Sequence, residues 1–333
     1  MVGAERKGVK HKPPALRRLR RDRLPGYAAR MPDLTSRLGN LTLATPFMAA
    51  SGTFGYGSEY APIVDLANLG AVVTKSLSVA PREGNPTPRI WETSAGMLNA
   101  IGLENCGLDV FIEKKVPELA KLPTKVLVNV VGNSIEEYAE ICTRLDPIEA
   151  VDGFEINISC PNVKHGCRFA SDAADCERLF KALKPTTKKL LLAKLSPNVT
   201  DVAEIARAAV EGGAQALSLI NTLLGMAVDV KTRRPRIANV TGGLSGPAIK
   251  PVALRCVWQA ARACPGVPVV GIGGIRSLED ALEFFMVGAC AVQVGTTNYL
   301  DPDLLNRLPG ELDAWLKAEG YADLKPLVGS FKA

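Results

Sequence analysis

One thiol in this chain stands where a thiol can take part in chemistry. Cys160 closes the stretch GFEINISCPN (153–162), in which Phe154, Ile156 and Ile158 alternate with Glu155, Asn157 and Ser159. A period near two marks a β-strand. Pro161 has no backbone N–H and turns the residue before it away from helix, so the strand ends at Cys160. A potential base or nucleophile thus sits at the C-terminal tip of a strand, with Asn157 below it and Asn162 just beyond. Other acid–base material is thin. His11 and His165 are the only histidines, so an HExxH zinc site or a Ser-His-Asp triad finds no support. The eight cysteines form no CxxC and no paired metal spacing, and most read as small buried hydrophobes in a reduced, cytosolic protein.

A strand tip is useful only if other strands bring their tips to the same place. Apolar strand candidates recur at 47–51, 71–75, 126–131, 153–159, 190–195, 216–221, 268–273 and 291–295. Helical patterns lie between most of them, at 134–145, 175–184, 201–211, 252–263 and 278–287. Helix starts carry cap signals: Ser134 with Glu137, Thr200 with Glu204 nearby, Ser277 with Asp280. Eight strands alternating with helices predict an α/β fold, a closed parallel (β/α)8 TIM barrel. An open doubly wound sheet also alternates, but it gathers polar residues at one switch point, and here they recur at every strand tip. Two short alternating runs around Gly39-Asn40 predict an N-terminal β-hairpin. The connections 76–125 and 222–250 are too long for plain loops and both follow strand ends, so they should cover the C-terminal face of the barrel.

The tips themselves are polar, rich in asparagine and poor in carboxylates: Ser51, Lys75, Ser76, Asn129, Asn157, Lys194, Asn221 and Thr222. That set suits a neutral heteroaromatic with several donors and acceptors plus an anionic group, and it offers no metal site. Gly271 to Gly274 and Gly295-Thr296 end the last two strands, where backbone N–H groups and a helix start can close on a phosphate. Gly242-Gly243-Leu244-Ser245-Gly246 supplies a further glycine arc. Lys75 and Lys194 each end an apolar strand and are expected to point into the mouth, where a cation can stabilise developing negative charge.

Composition limits the class. Hydrophobic residues make up 47% and charged residues 22%, as in a soluble globular domain, and no apolar run is long enough to span a membrane. The net charge of +6 is misleading, because residues 1–30 hold ten Lys/Arg and two acids, a net +8 that leaves −2 for the rest. Residues 1–32 read as a basic, disordered extension before a barrel domain at 33–333, with no nucleic-acid face implied.

Seven stretches carry a family resemblance: ASGTFGYGSEY (50–60), TKSLSVAPREGNPTPRIWE (74–92), GMLNAIGLENCGLD (96–109), NISCPNVKHG (157–166), LINTLLGMAVD (219–229), GGLSGPAIKP (242–251) and GIGGIRSLEDA (271–281). With these the chain resembles the class 1B dihydroorotate dehydrogenase catalytic subunits over about residues 33–310. The resemblance implies that FMN is held by Ala50, Ser51, Lys75, Ser76, Asn129, Asn157, Lys194, Ile220, Gly246, Gly273, Gly274, Gly295 and Thr296. It implies that the pyrimidine, dihydroorotate or orotate, is held by Lys75, Asn99, Ala100, Ile101, Gly102, Leu103, Asn157, Asn162, Asn221 and Thr222. Cys160 matches the catalytic base, and Lys75 serves cofactor, substrate and catalysis. It further implies a homodimer core in a heterotetramer whose partner subunit carries FAD and a [2Fe–2S] cluster, with NAD as final acceptor. The chain itself shows no GxGxxG after a strand and no four-cysteine cluster. The segment Gly166-Cys167-Arg168-Phe169 departs from the family pattern, and the tail is extra. A fumarate-linked class 1A enzyme, a dihydropyrimidine dehydrogenase-type barrel, a flavin-free phosphate-binding lyase or isomerase and a catalytically silent scaffold are the competing readings.

Overall fold

The computed structural model of the chain describes residues 31–159 and 169–332. In chain order the first strands are β1 (Ser36–Leu38), β2 (Leu41–Leu43), β3 (Phe47–Ala49), β4 (Ala71–Val73), β5 (Ile90–Thr93), β6 (Gly96–Asn99), β7 (Lys125–Val130) and β8 (Gly153–Asn157). They are followed by β9 (Leu190–Leu195), β10 (Ala216–Leu219), β11 (Leu223–Met226), β12 (Val228–Asp229), β13 (Arg234–Pro235), β14 (Thr241–Ser245), β15 (Val269–Ile272) and β16 (Ala291–Val294). Eight of them, β3, β4, β7, β8, β9, β10, β15 and β16, close in that order into a parallel barrel. These are the eight strands expected from the sequence.

The alternation along β8 has a meaning that a half-buried strand would not give it. Every residue of β8 is buried, because a barrel strand hides both faces. Phe154 and Ile156 look outward into the same apolar cluster as Tyr138, Ile141 and Phe180 of the surrounding helices. Glu155 and Asn157 look inward. Below them the barrel is filled by Met48, Ala71, Val73, Leu127, Leu190, Leu192, Ala216, Val270 and Ala291, packed with Leu38, Leu41 and Leu43 of the β1–β2 hairpin. The hairpin, turned at Gly39-Asn40 with Gly39 at φ 56°, therefore plugs the N-terminal end.

Helices start where a side chain can accept from a free backbone N–H. Ser134 accepts from Glu137 N ahead of Ile135–Leu145, and Ser277 from Asp280 N ahead of Leu278–Met286. Thr200 is displaced as a cap by Asp201, whose carboxylate accepts from Ala203 N and also favours the positive end of Val202–Gly212. Ala173–Leu183 starts two residues earlier than expected, because Asp172 accepts from Asp175 N. A last helix, Leu304–Glu319, packs against β3.

The two long connections do cover the barrel mouth, and they do so as one body. β5 and β6 from the first pair with β14 and β11 from the second in a four-stranded antiparallel sheet, β11-β14-β6-β5. The joint is β14 against β6, with Gly243 opposite Asn99. The Asn99 amide donates to Gly243 O at 3.2 Å. No helix among the described residues is long and apolar enough to cross a membrane.

Candidate active site

The strand tips and the covering sheet enclose one cavity of about 1110 Å³, at the upper end of the roughly 300–1,000 Å³ usual for small-molecule sites. Its size suits a mononucleotide with a second small ligand. Of the cofactor set, Ala50, Ser51, Lys75, Ser76, Asn157, Lys194, Ile220, Gly246, Gly273, Gly274, Gly295 and Thr296 all line it. Asn129 does not: it is fully buried one layer down, behind Ser76. Of the pyrimidine set, Lys75, Asn99, Ala100, Ile101, Gly102, Leu103, Asn157, Asn221 and Thr222 line the same cavity. Cys160 and Asn162 lie outside the described residues, as do Cys167, His165 and Arg168.

At one end the wall is backbone. β15 runs into Gly273 and Gly274, at φ 126° and 78°, and Gly246 at the end of β14 has φ 92°. Their closeness demands glycine. A Cβ on Gly246 would stand 2.8 Å from Gly96 Cα, and one on Gly274 would stand 3.1 Å from Gly246 O. Thr296 Oγ1 donates to Ser245 Oγ at 2.8 Å, which ties the end of β16 to the same arc. Lys250 locks the ground beneath it by pairing with Asp280 and Glu283. Glycine backbone and the hydroxyls of Ser245 and Thr296, with no acid along this arc of the wall, suit a phosphate.

The floor is an ordered polar layer. Asn221 Nδ2 donates to Asn157 Oδ1 at 3.1 Å, and Tyr138 OH donates to Asn157 O at 2.8 Å. Thr222 N donates to Asn221 Oδ1 at 2.8 Å. These bonds fix which faces of the two amides remain for a ligand. Lys194, 6% exposed, pairs with the fully buried Glu155 at 3.1 Å.

At the rim Gly102 and Leu103 are consecutively left-handed, at φ 78° and 57°. Leucine in that region is strained and is held by Asn105 Nδ2 donating to Leu103 O at 2.8 Å. Lys75 reaches Glu104 at 3.4 Å, and Arg89 pairs with the same carboxylate. The Arg89 guanidinium first, and the Lys75 ammonium second, hold the Glu104 carboxyl below its ordinary range. Both lysines thus face the cavity, as their strand-end positions suggest.

Two thiols away from the mouth, Cys142 and Cys176, are buried and behave as packing. Burial pushes Cys142 and Cys176 up to about 12, far from nucleophilic. The sequence reading passed over Glu155, Gln293, Ser218, Arg89 and Glu104. The signal for the first three was available: polar side chains at inward positions of otherwise apolar strands.

The fold and mouth together define a (β/α)8 barrel with a glycine-rich arc, an amide-rich floor and two cavity-facing lysines. The family model for dihydroorotate dehydrogenase matches residues 33–316, and the chain belongs to that family. It is 56% identical over 302 residues to a Geobacter metallireducens protein named "Dihydroorotate dehydrogenase B (NAD(+)), catalytic subunit", covering 90% of this chain and 99% of that protein. Proteins of the same name from Geobacter sulfurreducens and Pelobacter propionicus are 55% and 56% identical, with the same coverage. Among solved structures, that of DHODH in complex with ferulenol from Eimeria tenella superposes with a TM-score of 0.75 over 92% of this chain and 91% of that one. At 24% identity it speaks for the fold alone.

Proposed function

We propose that this chain oxidises (S)-dihydroorotate to orotate in de novo pyrimidine synthesis, as the FMN-bearing catalytic subunit of a B-type enzyme. One observation carries the reading: the cofactor set apart from Asn129, and the described members of the pyrimidine set, overlap at Lys75 and Asn157 on a single cavity. When bound, FMN supplies the acceptor for the hydride that leaves C6 of the substrate. The residues present fit it, with the glycine arc at Gly246, Gly273 and Gly274 for the phosphate and Ala50, Ser51, Ser76, Lys194 and Ile220 for the ring. Gly295 and Thr296 complete the phosphate end. Asn129 contributes from behind, through Ser76.

Asn99, Asn157, Asn162 and Asn221, with Thr222 and the turn from Ala100 to Leu103, orient the pyrimidine. Orientation of this kind lowers a barrier by about 7–11 kcal/mol at best. Cys160 takes the C5 proton, a service that contributes about 10²–10⁴-fold. Lys75 places a cation at the junction of the two ligands, where charge develops.

Electrons then leave through a partner subunit carrying FAD and a [2Fe–2S] cluster, with NAD as final acceptor. The B-type relatives, whose names include NAD(+) and "catalytic subunit", support this arrangement. So do the exposed apolar side chains of the covering sheet's two outer strands, Ile90 and Trp91 on β5 and Leu224 and Met226 on β11, with Val228 on the neighbouring β12. The barrel subunits pair as the homodimer core of a cytoplasmic heterotetramer. The test is purification with FMN, then addition of dihydroorotate under nitrogen while the visible flavin band is followed. Bleaching is expected, with NAD reduction once the partner is added. A chain that takes no FMN, or whose flavin band ignores dihydroorotate, would overturn the reading.

A further inference from the structure

Among the described residues, Glu155 and Lys194 are the only charged side chains buried from solvent. A buried ion pair is weak evidence for stability, since apolar residues of similar volume do as well, so its presence here asks for another explanation. The carboxylate lies one layer below the cavity and every bond it makes reaches a different strand. Oε1 accepts from Asn129 Nδ2 at 2.8 Å and from Lys194 Nζ at 3.1 Å. Oε2 accepts from Ser218 Oγ at 3.1 Å and from Gln293 Nε2 at 2.7 Å.

A carboxylate only accepts, and that rule propagates upward. Asn129 must turn Nδ2 to Glu155, which leaves Oδ1 to accept from Ser76 Oγ at 2.6 Å. Ser76 spends its single hydrogen inward and shows the cavity only lone pairs. Lys194 spends one N–H on Glu155 and shows the cavity only donors. One buried carboxylate therefore dictates two signs on the floor, an acceptor at Ser76 and a cationic donor at Lys194. Lysine needs such a hold more than arginine would, because its ammonium rides a flexible four-carbon stem.

We propose that Glu155 is a positioning residue, which fixes the Lys194 ammonium and the Ser76–Asn129 pair so that the floor fits a heteroaromatic edge carrying an N–H beside an atom that gains negative charge. The proposal rests on the reading of the cavity as the FMN site, and its ligand class is a redox-active ring of that kind.

The experiment has two parts. In the FMN-free wild-type chain, exchange of the Lys194 ammonium protons is followed by ¹⁵N NMR, assigned with Lys194→Arg. Exchange far slower than at surface lysines is expected, and its loss in Glu155→Gln. Exchange at the surface rate in the wild type overturns the proposal, even if the variant fails to fold. In the loaded protein, Glu155→Gln should bind FMN about tenfold more weakly. Its flavin midpoint potential should fall, by about 30 mV for a tenfold preferential loss of the two-electron-reduced form. The direction discriminates, because deleting a bystander negative charge would raise the potential. In the Lys194→Met background, where no ammonium remains to be held, Glu155→Gln should no longer lower the potential, as expected when that effect runs through Lys194. A raised or unchanged potential, or additive effects in the double variant, overturns the proposal. FMN failing to bind the wild type would instead overturn the cofactor reading, and the exchange rates would still decide the role of Glu155.

Discussion

The two ends of this barrel are made from the same eight strands and differ in what those strands point inward. One two-residue step along a strand is enough to change the chemistry: Leu127 to Asn129, Leu192 to Lys194, Ala216 to Ser218, Ala291 to Gln293. Below the step, nine strand side chains and three from the hairpin form a sealed apolar plug. Above it, polar groups take their orientation from one another. The lower end gains its free energy from area removed from water, about 1.5–3 kcal/mol for each large side chain. The upper end gives up such burial to hold donors and acceptors in register. Activity and stability should therefore fail separately when the two ends are damaged.

The largest separation is expected from the mouth. Cys160→Ala should lower kcat at neutral pH by about 10²–10⁴-fold, the worth of a positioned general base. FMN content and melting temperature should stay those of the wild type, checked by absorbance and calorimetry. Normal turnover in that variant would remove Cys160 from the mechanism. The complementary damage is Leu43→Ala in the plug, where the side chain is fully buried. A loss of about 2–5 kcal/mol in urea unfolding is expected. The folded fraction should keep its kcat. A matching loss of activity per folded molecule would mean the ends are coupled.

A subtler cut tests the glycine arc against an ordinary turn. Gly246 and Gly266 have similar angles, φ 92° and 82°. A Cβ on Gly246 would meet Gly96 Cα at 2.8 Å, whereas one on Gly266 would meet nothing within 4 Å. Both alanine variants incur the backbone strain, about 1–3 kcal/mol. Only Gly246→Ala should also weaken FMN, by roughly tenfold or more in a fluorescence titration, because only there must a cavity wall shift. Equal affinities in the two variants would remove the arc from the phosphate site.

How much of this was legible beforehand follows from distance along the chain. Barrel strands announce themselves locally, as short apolar runs with polar tips, and all eight were found within a residue or two. The hairpin was equally local, carried by Gly39-Asn40. The covering sheet was not, because β6 and β14 pair across a long stretch of chain that holds the four barrel strands β7 to β10, and neither carries a strong strand signal. Thr200 lost its expected cap to Asp201, since the carboxylate satisfies the same free N–H groups and adds charge. Asn129 was placed on the ligand by resemblance, whereas the barrel puts it behind Ser76. Glu155 was visible as the polar half of an alternation, but period two normally means one wet face. Only closure of the barrel makes that face an interior, and only then does a glutamate there demand four donors.

The smallest effect is reserved for the other glutamate of the site, and it sharpens the contrast. Glu104 sits at the rim with its side chain 43% exposed, between Arg89 and Lys75, where solvent screens the attraction. Glu104→Gln should cost less than about 1 kcal/mol of stability at pH 7. The sign of its pH dependence is fixed. A carboxyl held below its usual range, here by Arg89 and then Lys75, adds stability above the unfolded value of about 4.3 and loses it as pH falls through the depressed folded value. The melting-temperature gap between wild type and Glu104→Gln should thus be present at neutral pH and close in acid. A gap that persists unchanged at about pH 2–3 would mean that the difference lies in packing rather than charge. The same residue type is thus a minor, screened, pH-dependent contributor at the rim and a fully enclosed organiser on the floor, and what separates the two is the number of fixed donors each has been given.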